Sequence, residues 1–386
     1  MIGTSLDLPS PRRREVARRT GELGSLAGVR LVTLEDGPGR GVRVLEFHNA
    51  AGLRFDVLVD RAFDIGGAWY RGRSFGWQGS PGIRHPAFHE NADEAGLGWL
   101  RSFSGLLLTG GLDQTLFGEE VGAEQYAYPP RPTVASGLHG RVANLPASLI
   151  GYGVDWLDDD AAVLWAEGEV RQTAIFAEHL RRWRRIEVDL DGSQIRIDDR
   201  VWNAGFDRTP HMYLYHVNFG WPLVDEGARI AAPIARTRWC TDAVWEQAAP
   251  YDVVAGPGAG FMEQVYEHVP VPASDGSLTA GIFNDRIDLA AVLSWNASAF
   301  PCLLEWMYLR EGNYAVGLEP SSHHVEGPQA ARDEGSLIWL EHGESRSYHL
   351  SLSLYQGPAR TAAEQSIRAQ HSQPDGPLPT GVPGHS

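Results

Sequence analysis

The chain contains no lysine, and all 33 of its Lys or Arg positions are arginine. This absence excludes catalysis by a Schiff-base lysine and phosphate binding by a Walker or kinase lysine. Only two cysteines are present, Cys240 and Cys302, which are too few for a disulfide framework or a thiolate zinc site and are interpreted as buried free thiols. No apolar run approaches membrane-spanning length, and none follows the N-terminal arginines as a secretory signal would require. We therefore expect a soluble, cytoplasmic protein without membrane partners.

Concentrated positive charge is also scarce. The formal net charge is −16, and acidic and basic residues are interleaved along the 386 residues. The one basic run, Arg181-Arg182-Trp183-Arg184-Arg185, leads into an alternating segment, so we predict a solvated strand face. Phosphate binding needs a concentrated cationic surface, and nucleic acid is therefore not expected as a partner.

The dominant pattern in the middle of the chain has a period of two. Polar and apolar residues alternate over 54–60, 186–190 and 194–201, and Asp191-Gly192 between the last two predicts a hairpin turn. Further strands are predicted at 42–48, 162–170, 211–219, 290–295, 303–309, 314–318, 337–340 and 347–354. Many strands without alternating helices favour an all-β fold, an antiparallel sandwich or barrel.

The two ends of the chain differ from this middle. Residues 1–28 are predicted to form an N-terminal extension with a short helix within 11–23, and residues 29–358 a single sandwich domain. Residues 359–386 are predicted to hold a short helix at 361–371 and a disordered tail, because 373–386 is rich in proline and glycine.

Three short segments carry groups that can transfer protons. They are Leu138-His139-Gly140-Arg141, Tyr215-His216-Val217-Asn218-Phe219-Gly220 and Gly317-Leu318-Glu319-Pro320-Ser321-Ser322. Histidine titrates near neutral pH, and a carboxylate acts as a base when its pKa is tuned. Two histidines and a carboxylate suit acid–base chemistry on a small polar molecule if the fold brings them together. Each also has a structural interpretation, such as a histidine that holds a carbonyl group.

Alternation in the second segment assigns the His216 side chain to one face of the predicted strand. With a period of two, His216 and Asn218 share one strand face with Met212 and Leu214, while the intervening residues face the other way. Glu319 comes at the end of an apolar strand, before a proline that we expect to stop it. A carboxylate where a buried strand emerges is well placed for function.

Other polar and aromatic residues complete the list of candidates. Arg61 lies in a segment that predicts a salt-bridged strand edge or a ligand clamp, and Glu263 lies in a segment that predicts exposure. Trp77, Trp99 and Trp306 are candidates for stacking on sugar rings. The histidines at 211, 216, 323 and 324, together with Glu319, leave a metal site as an alternative, although no HExxH-type spacing is present and we predict no metal.

Together these segments resemble the galactose mutarotase-like superfamily, the aldose 1-epimerases, and more closely its divergent branch of unknown function. The resemblance extends over about residues 30 to 355. The matching segments are 59–66, 105–113, 138–141, 215–220, 263–266 and 318–320.

The resemblance implies a β-sandwich with a sugar cleft on one open sheet face, and an isomerase that needs no cofactor. Carried over, Glu319 is the base that removes the proton of the anomeric hydroxyl, and His216 is the acid that protonates the ring oxygen. His139 matches the histidine that binds the sugar, and Arg141 a substrate-binding partner. Asn218, Arg61 and Glu263 complete the substrate-binding residues that we predict. The expected partner is a small sugar, bound by a monomer or a homodimer.

The chain departs from the mutarotase pattern around both catalytic positions. Pro320-Ser321 replaces the usual Thr-Gln after the glutamate, and Val217-Asn218 stands where hydroxyl-bearing residues are usual. Two alternatives therefore stay open on the same scaffold. One is a lyase, hydratase or isomerase of oxidised or modified sugars, with or without a metal; the other is a sugar-binding protein without catalysis.

Overall fold

The structure, a computed structural model, describes residues 12–90, 93–126, 132–247 and 250–370. Within them the strands are β1 (Gly28–Thr33), β2 (Arg43–His48), β3 (Leu53–Leu58), β4 (Asp64–Tyr70), β5 (Arg73–Ser74), β6 (Leu107–Leu112), β7 (Glu120–Gly122), β8 (Thr133–Ala135), β9 (Ala147–Trp156), β10 (Ala162–Thr173), β11 (His179–Asp189), β12 (Gln194–Asn203), β13 (Thr209–Gly220), β14 (Arg229–Ala231), β15 (Ile234–Cys240), β16 (Gln264–Pro270), β17 (Ser277–Asn284), β18 (Leu289–Asn296), β19 (Cys302–Arg310), β20 (Asn313–Ser321), β21 (Ile338–Leu340) and β22 (Ser345–Tyr355). The helical segments are α1 (Arg13–Arg19), α2 (Asp93–Gly96, with left-handed backbone), α3 (Asp242–Gln247), α4 (Gly327–Asp333) and α5 (Gly357–Gln370), with short 3-10 turns between strands.

Two large sheets dominate the molecule. The first runs β1-β2-β3-β4-β6-β13-β20-β19-β16-β15, with β5 and β21 attached, and the second runs β14-β17-β18-β22-β12-β11-β10-β9. Apolar side chains of both sheets form one core between them. The predicted antiparallel β-sandwich is confirmed, because alternating strands bury one face of each sheet against the other.

The arginine run in β11 shows how strictly the alternation holds. Arg182 and Arg184 are fully buried between the sheets, whereas Arg181 and Arg185 face outward and pair with glutamates. The prediction of a solvated strand face was therefore wrong for two of the four arginines. A period of two gives each strand an inner and an outer face regardless of charge, and buried carboxylates compensate the inner pair.

Short helices lie near both ends of the described chain. α1 occupies Arg13–Arg19, inside the predicted 11–23, and α5 begins at Gly357, four residues before the predicted start. The predicted tail at 373–386 lies outside the described residues. Among the described residues, no helix combines the length and apolar character needed to cross a membrane.

The strand β20 does not stop at its proline. It continues to Ser321, and Pro320 pairs with Leu303 on the neighbouring β19. On its other side the ladder with β13 joins Leu214 to Ser321 and Val217 to Leu318, with no pairing in between. Proline has no N–H to donate to a sheet. The prediction that the strand ends at Pro320 was wrong; the proline instead accompanies a local gap in the ladder between two central strands.

Candidate functional site

The strand β13 carries polar groups on both faces. Tyr213, Tyr215, Val217 and Phe219 belong to the core between the sheets, so His216 and Asn218 face outward from the first sheet. This alternation is the one predicted from sequence. Despite that outward direction His216 is only 4% exposed, because other parts of the chain cover it.

Glu319 of β20 lies beside His216 at the gap in the ladder. Its side chain is on the same outer face, since its neighbour Leu318 belongs to the inner core. The Nε2 atom of His216 is 3.1 Å from Oε1 of Glu319, and both side chains are buried. The expectation that Glu319 emerges at a strand end was wrong, but two groups that can exchange a proton are in direct contact. We refer to them as the His216–Glu319 pair.

His139 approaches the pair from a sharp turn. The residue has a positive φ of 54°, Gly140 follows with a φ of 73°, and a Cβ on Gly140 would lie 2.5 Å from the carbonyl oxygen of Gly111. Only glycine fits this second position. The turn places the His139 ring 5.2 Å from the His216 ring, centroid to centroid.

Aromatic side chains cover the pair. Phe103 lies 4.9 Å from the His216 ring, and Trp99 and Trp306 each lie 5.7 Å from it, while Trp99 also packs on His139. Trp77 contacts Phe103 and Trp306 from the outside. The resemblance implied an open cleft, but in this conformation the turn at Gly98–Ser102 and the following Phe103 close over the site.

Several buried polar atoms in this site have no hydrogen-bond partner within the described structure. They are Nε1 of Trp99, Nδ1 of His139, Nδ1 of His216, Oδ1 of Asn218 and Oε1 of Glu319. The 3.1 Å contact within the pair does not have hydrogen-bond directionality, so Oε1 counts among them. Most buried polar groups in proteins are hydrogen-bonded. A cluster of five exceptions therefore points to a place where a polar ligand binds.

Burial sets the protonation of the pair. Burial, followed by the charge of Glu263, raises the pKa of Glu319 to about 8. Burial, followed by the charge of His139, lowers the pKa of His216 well below its ordinary value. Burial also lowers the pKa of His139 to about 3. At neutral pH Glu319 is therefore mostly in its protonated, uncharged form, and both histidines are uncharged.

Arg61 links three backbone segments that surround the site. Its guanidinium is buried and donates to the backbone carbonyls of Ser102, Ala143 and Arg84. Burial lowers its pKa to about 10, which keeps it charged at neutral pH. Because three of its donors are engaged with backbone, the arrangement suits a role in positioning the covering turn more than contact with a ligand.

The other two predicted binding residues lie toward the edge. Arg141 pairs with Asp113 at 3.3 Å and donates to the carbonyl of Ala135, so its guanidinium is directed at these two residues. Glu263 is exposed, as its segment predicted, and accepts a 2.6 Å hydrogen bond from Nε1 of Trp306. Of the predicted set, the structure thus brings together His139, His216, Asn218 and Glu319 and places Glu263 at the rim.

The histidines considered for a metal do not surround one point. His211 bonds to the carbonyl of Leu112 and to the hydroxyl of Tyr348, and His323 bonds to Ser322. His324 instead contacts Cys302 and Glu267. None of these contacts involves His216 or Glu319.

Two residues of the site did not stand out in the sequence. Phe103 follows a 3-10 turn, where no periodicity assigns a face. Gly317 lies two residues before Glu319, and a Cβ there would be 2.9 Å from Oε1 of Glu319 and 3.2 Å from Cε1 of His216. The period of two in β20 could have placed Gly317 beneath the pair, because residues two apart share a face.

Comparison with known proteins agrees with this architecture. The family described as Domain of unknown function (DUF4432) matches residues 39–354. No curated protein matches the sequence. A crystal structure of a candidate aldose 1-epimerase from Klebsiella pneumoniae has a TM-score of 0.78 at 24% identity, covering 88% of this chain and 87% of that one.

More distant structures share the same architecture. A galactose mutarotase-like protein from Clostridium acetobutylicum has a TM-score of 0.57 at 13% identity, covering 85% of this chain and 98% of that one. An aldose epimerase homologue from C. elegans has a TM-score of 0.51 at 10% identity, covering 81% and 98%. These similarities establish the galactose mutarotase-like fold.

Proposed function

The chain belongs to the DUF4432 family, and we propose that it is a sugar-processing enzyme, an isomerase of the aldose 1-epimerase type that acts through the His216–Glu319 pair. The observation that carries the proposal is the 3.1 Å contact between two buried proton-transfer groups, surrounded by polar atoms without partners. The fold neighbours described as aldose epimerases support a sugar as the ligand.

The acidic proton on Glu319, which can be transferred to His216, matches the demand of this reaction. Opening a cyclic sugar needs a base at the anomeric hydroxyl and an acid at the ring oxygen at the same time. Transfer of the proton from Glu319 to His216 produces this form, a carboxylate beside an imidazolium. Burial favours the uncharged form of each group, so a bound sugar has to stabilise the charged form through the hydrogen bonds it brings.

The proton balance closes over the cycle. The Glu319 carboxylate takes the proton of the anomeric hydroxyl, the bond between the anomeric carbon and the ring oxygen breaks, and His216 gives its proton to that oxygen. The open aldehyde then rests beside protonated Glu319 and neutral His216, which is the form that burial favours. Rotation of the aldehyde and the reverse transfers close the ring as the other anomer.

Binding has to separate the pair, since the sugar stands between acid and base. The polar atoms of Asn218, His139 and Trp99 are available to its hydroxyl groups. Trp306 offers a ring face and is fixed by Glu263. Flat aromatic surfaces with a polar edge are well suited to amphipathic ligands.

A cavity on the other side of Trp77 offers an entrance. It has a volume of about 350 Å³ and is lined by Trp69, Trp77, Trp221, Tyr314 and Gln78, among others. Small-molecule sites in proteins start at about 300 Å³. Because Trp77 is a wall of both the cavity and the aromatic cover, we propose that a sugar docks here before Trp77 and Phe103 move aside.

The test is proton NMR of anomer interconversion for a panel of free sugars in D₂O. We expect faster interconversion for at least one sugar, without deuterium at carbon, because only oxygen-bound protons move. Glu319→Gln should reduce the rate by roughly 10²- to 10⁴-fold and keep measurable sugar binding. Deuterium incorporation at carbon would instead identify a lyase or an isomerase of modified sugars.

Glu305→Gln is the matched control. Glu305 is also a buried carboxylate whose pKa is raised by burial, one strand away on β19, but it faces the inner core. Its variant should keep the activity. Full activity in Glu319→Gln, or no acceleration with any sugar and no carbon exchange, would show that the pair does not catalyse.

A further inference from the structure

A second polar group lies on the same outer face of the sheet. Glu267 of β16 pairs in register with Leu304 of β19, which pairs with Glu319 of β20. Adjacent strands are about 4.8 Å apart, so the backbones at Glu267 and Glu319 are roughly 10 Å apart. Leu304 and its apolar neighbours Leu116, Leu214 and Val325 separate the two groups. The second group is therefore distinct from the His216–Glu319 pair.

Three side chains of different types converge there. One ligand atom from each of Glu267, Cys302 and His324 lies within 4.8 Å of the others. Sγ of Cys302 is 3.3 Å from Nδ1 of His324, and Oε1 of Glu267 contacts the same nitrogen. One ring nitrogen has one in-plane direction for a proton or a lone pair, so it cannot bond well to both partners. A single cation between the three atoms would satisfy all of them.

Hydrogen bonds to its second oxygen hold the Glu267 carboxylate in place. Its other oxygen, Oε2, accepts from Nη1 of Arg238 at 3.2 Å and from the backbone N–H of Val325 at 3.1 Å. Arg238 is in turn paired with Glu326. Outer hydrogen bonds of this kind orient the ligands of metal sites. They leave Oε1 directed at Cys302 and His324.

The group borders a cavity. Cys302, His324 and Glu326 are among its lining residues, and its volume is about 230 Å³. Three protein ligands with one open position are typical of zinc sites that bind water or substrate. Thiolate and imidazole favour zinc and similar transition metals over magnesium or calcium.

We propose that Glu267, Cys302 and His324 form a binding site for a zinc-class divalent metal ion whose fourth position opens onto this cavity. Binding converts the Cys302 thiol to a thiolate and releases its proton to solvent. Nδ1 of His324 also gives up its proton, which leaves a neutral ring with its proton on Nε2 and the Nδ1 lone pair directed at the ion. Protons are therefore released on binding, and affinity increases with pH.

The test uses the full chain after treatment with a chelator and dialysis, titrated with Co²⁺. We expect one equivalent to bind and to produce a thiolate-to-cobalt charge-transfer band in the near ultraviolet together with the visible bands of tetrahedral cobalt. Zn²⁺ should displace the cobalt and remove both. Cys302→Ser should lose the charge-transfer band. Cys240→Ser, which removes the only other cysteine, is the matched control and should keep it.

Two further variants keep the test decisive if Cys302→Ser does not fold. His324 has a half-exposed side chain, so His324→Gln is expected to fold and to bind cobalt at least about 10-fold more weakly. Arg238→Gln removes the outer support and should weaken binding by about 10- to 100-fold. Absence of a stoichiometric band in the folded wild type, or a band that persists in Cys302→Ser or disappears in Cys240→Ser, would overturn the proposal. None of these readouts depends on sugar turnover.

Discussion

The two faces of strand β13 carry two buried polar clusters of opposite character. On the inner face, Asp199 of the second sheet accepts from the hydroxyls of Tyr213 and Tyr215 and from Arg184, at 2.6 to 2.8 Å. Arg184 also donates to Asp64 and Thr109. On the outer face, His216, Asn218 and Glu319 leave polar atoms without partners.

The difference separates stability from function. In the inner cluster burial alone would raise the pKa of Asp199, but Arg184, with Arg182 and Tyr213, lowers it below its ordinary value, so the carboxylate stays charged. In the outer cluster burial prevails and the groups stay neutral. A charged network in which Arg184 and Asp199 are paired with each other joins the two sheets. A neutral, unsaturated one retains hydrogen-bonding capacity for a ligand and a proton that can move.

The largest effect is expected from breaking the inner cluster. Arg184→Met leaves the Asp199 and Asp64 carboxylates buried without their main cation. Removing one partner of a buried ion pair costs about 3–5 kcal/mol. We expect the free energy of unfolding, measured with denaturant, to decrease by that amount.

Arg185→Met is the control for this variant. Arg185 follows Arg184 in the chain but faces outward, and its side chain, about a quarter exposed, pairs with Glu167 and Glu187. Such surface pairs contribute about 1 kcal/mol or less. Equal losses for the two variants would contradict the assignment of a structural role to the inner face alone.

A smaller effect is expected from adding one methyl group beneath the outer pair. In Gly317→Ala the new Cβ would lie 2.9 Å from Oε1 of Glu319, which is the flexible end of a side chain and can move away. Displacing a reacting group by about 1 Å costs on the order of 10²-fold in rate. We expect kcat/KM in the NMR assay to decrease by about that factor, with little change in the midpoint of thermal unfolding.

Gly260→Ala provides the comparison, since the added Cβ there meets nothing within 4 Å. It should match the wild type in both measurements. If Gly317→Ala keeps full activity, the position of the Glu319 carboxylate is not critical to turnover.

The sequence predicts these clusters unequally. Strict alternation in β13 assigns His216 and Asn218 to one face, and the fold class follows from the same periodicity. Arg182 and Arg184 were assigned to solvent because a run of charges alone indicates it. Arg184 lies directly opposite Asp199 across the predicted hairpin, whereas Asp64 comes from the other sheet and could not be connected to Arg184 from the sequence. Pro320 suggested a strand end because the sequence does not show the pairing of the strand. Whether a strand can contain a proline depends on which neighbouring strand pairs with that position.

The covering residues were the hardest to predict. Trp99 and Phe103 lie in and beside a 3-10 turn rather than a strand, so no period connects them to the site. Their place over His216 depends on Arg61, whose bonds to Ser102, Ala143 and Arg84 join three segments far apart in sequence. Contacts of this long range are set by the packed structure and leave no local pattern.

Measured per pH unit, the smallest change in free energy is expected from the proton on Glu319. Its pKa in the folded protein is raised to about 8 from 4.5, so between these values the folded state holds a proton that the unfolded state has lost. This contribution to stability is fully present below pH 4.5 and is lost as the pH rises through 8. Glu319→Gln lacks the titration. Its free energy of unfolding relative to wild type should therefore increase between pH 5 and 8, by up to about 1.4 kcal/mol per pH unit.

Denaturant unfolding of both proteins at intervals of one pH unit measures this difference. The exposed Glu311 supplies a control, since Glu311→Gln removes a carboxylate that solvent reaches and should run parallel to wild type. Parallel curves for Glu319→Gln as well would mean that the outer carboxylate is already ionised when folded. The two faces of β13 would then both hold charge, and the resting proton of the proposed cycle would have to lie elsewhere than on Glu319.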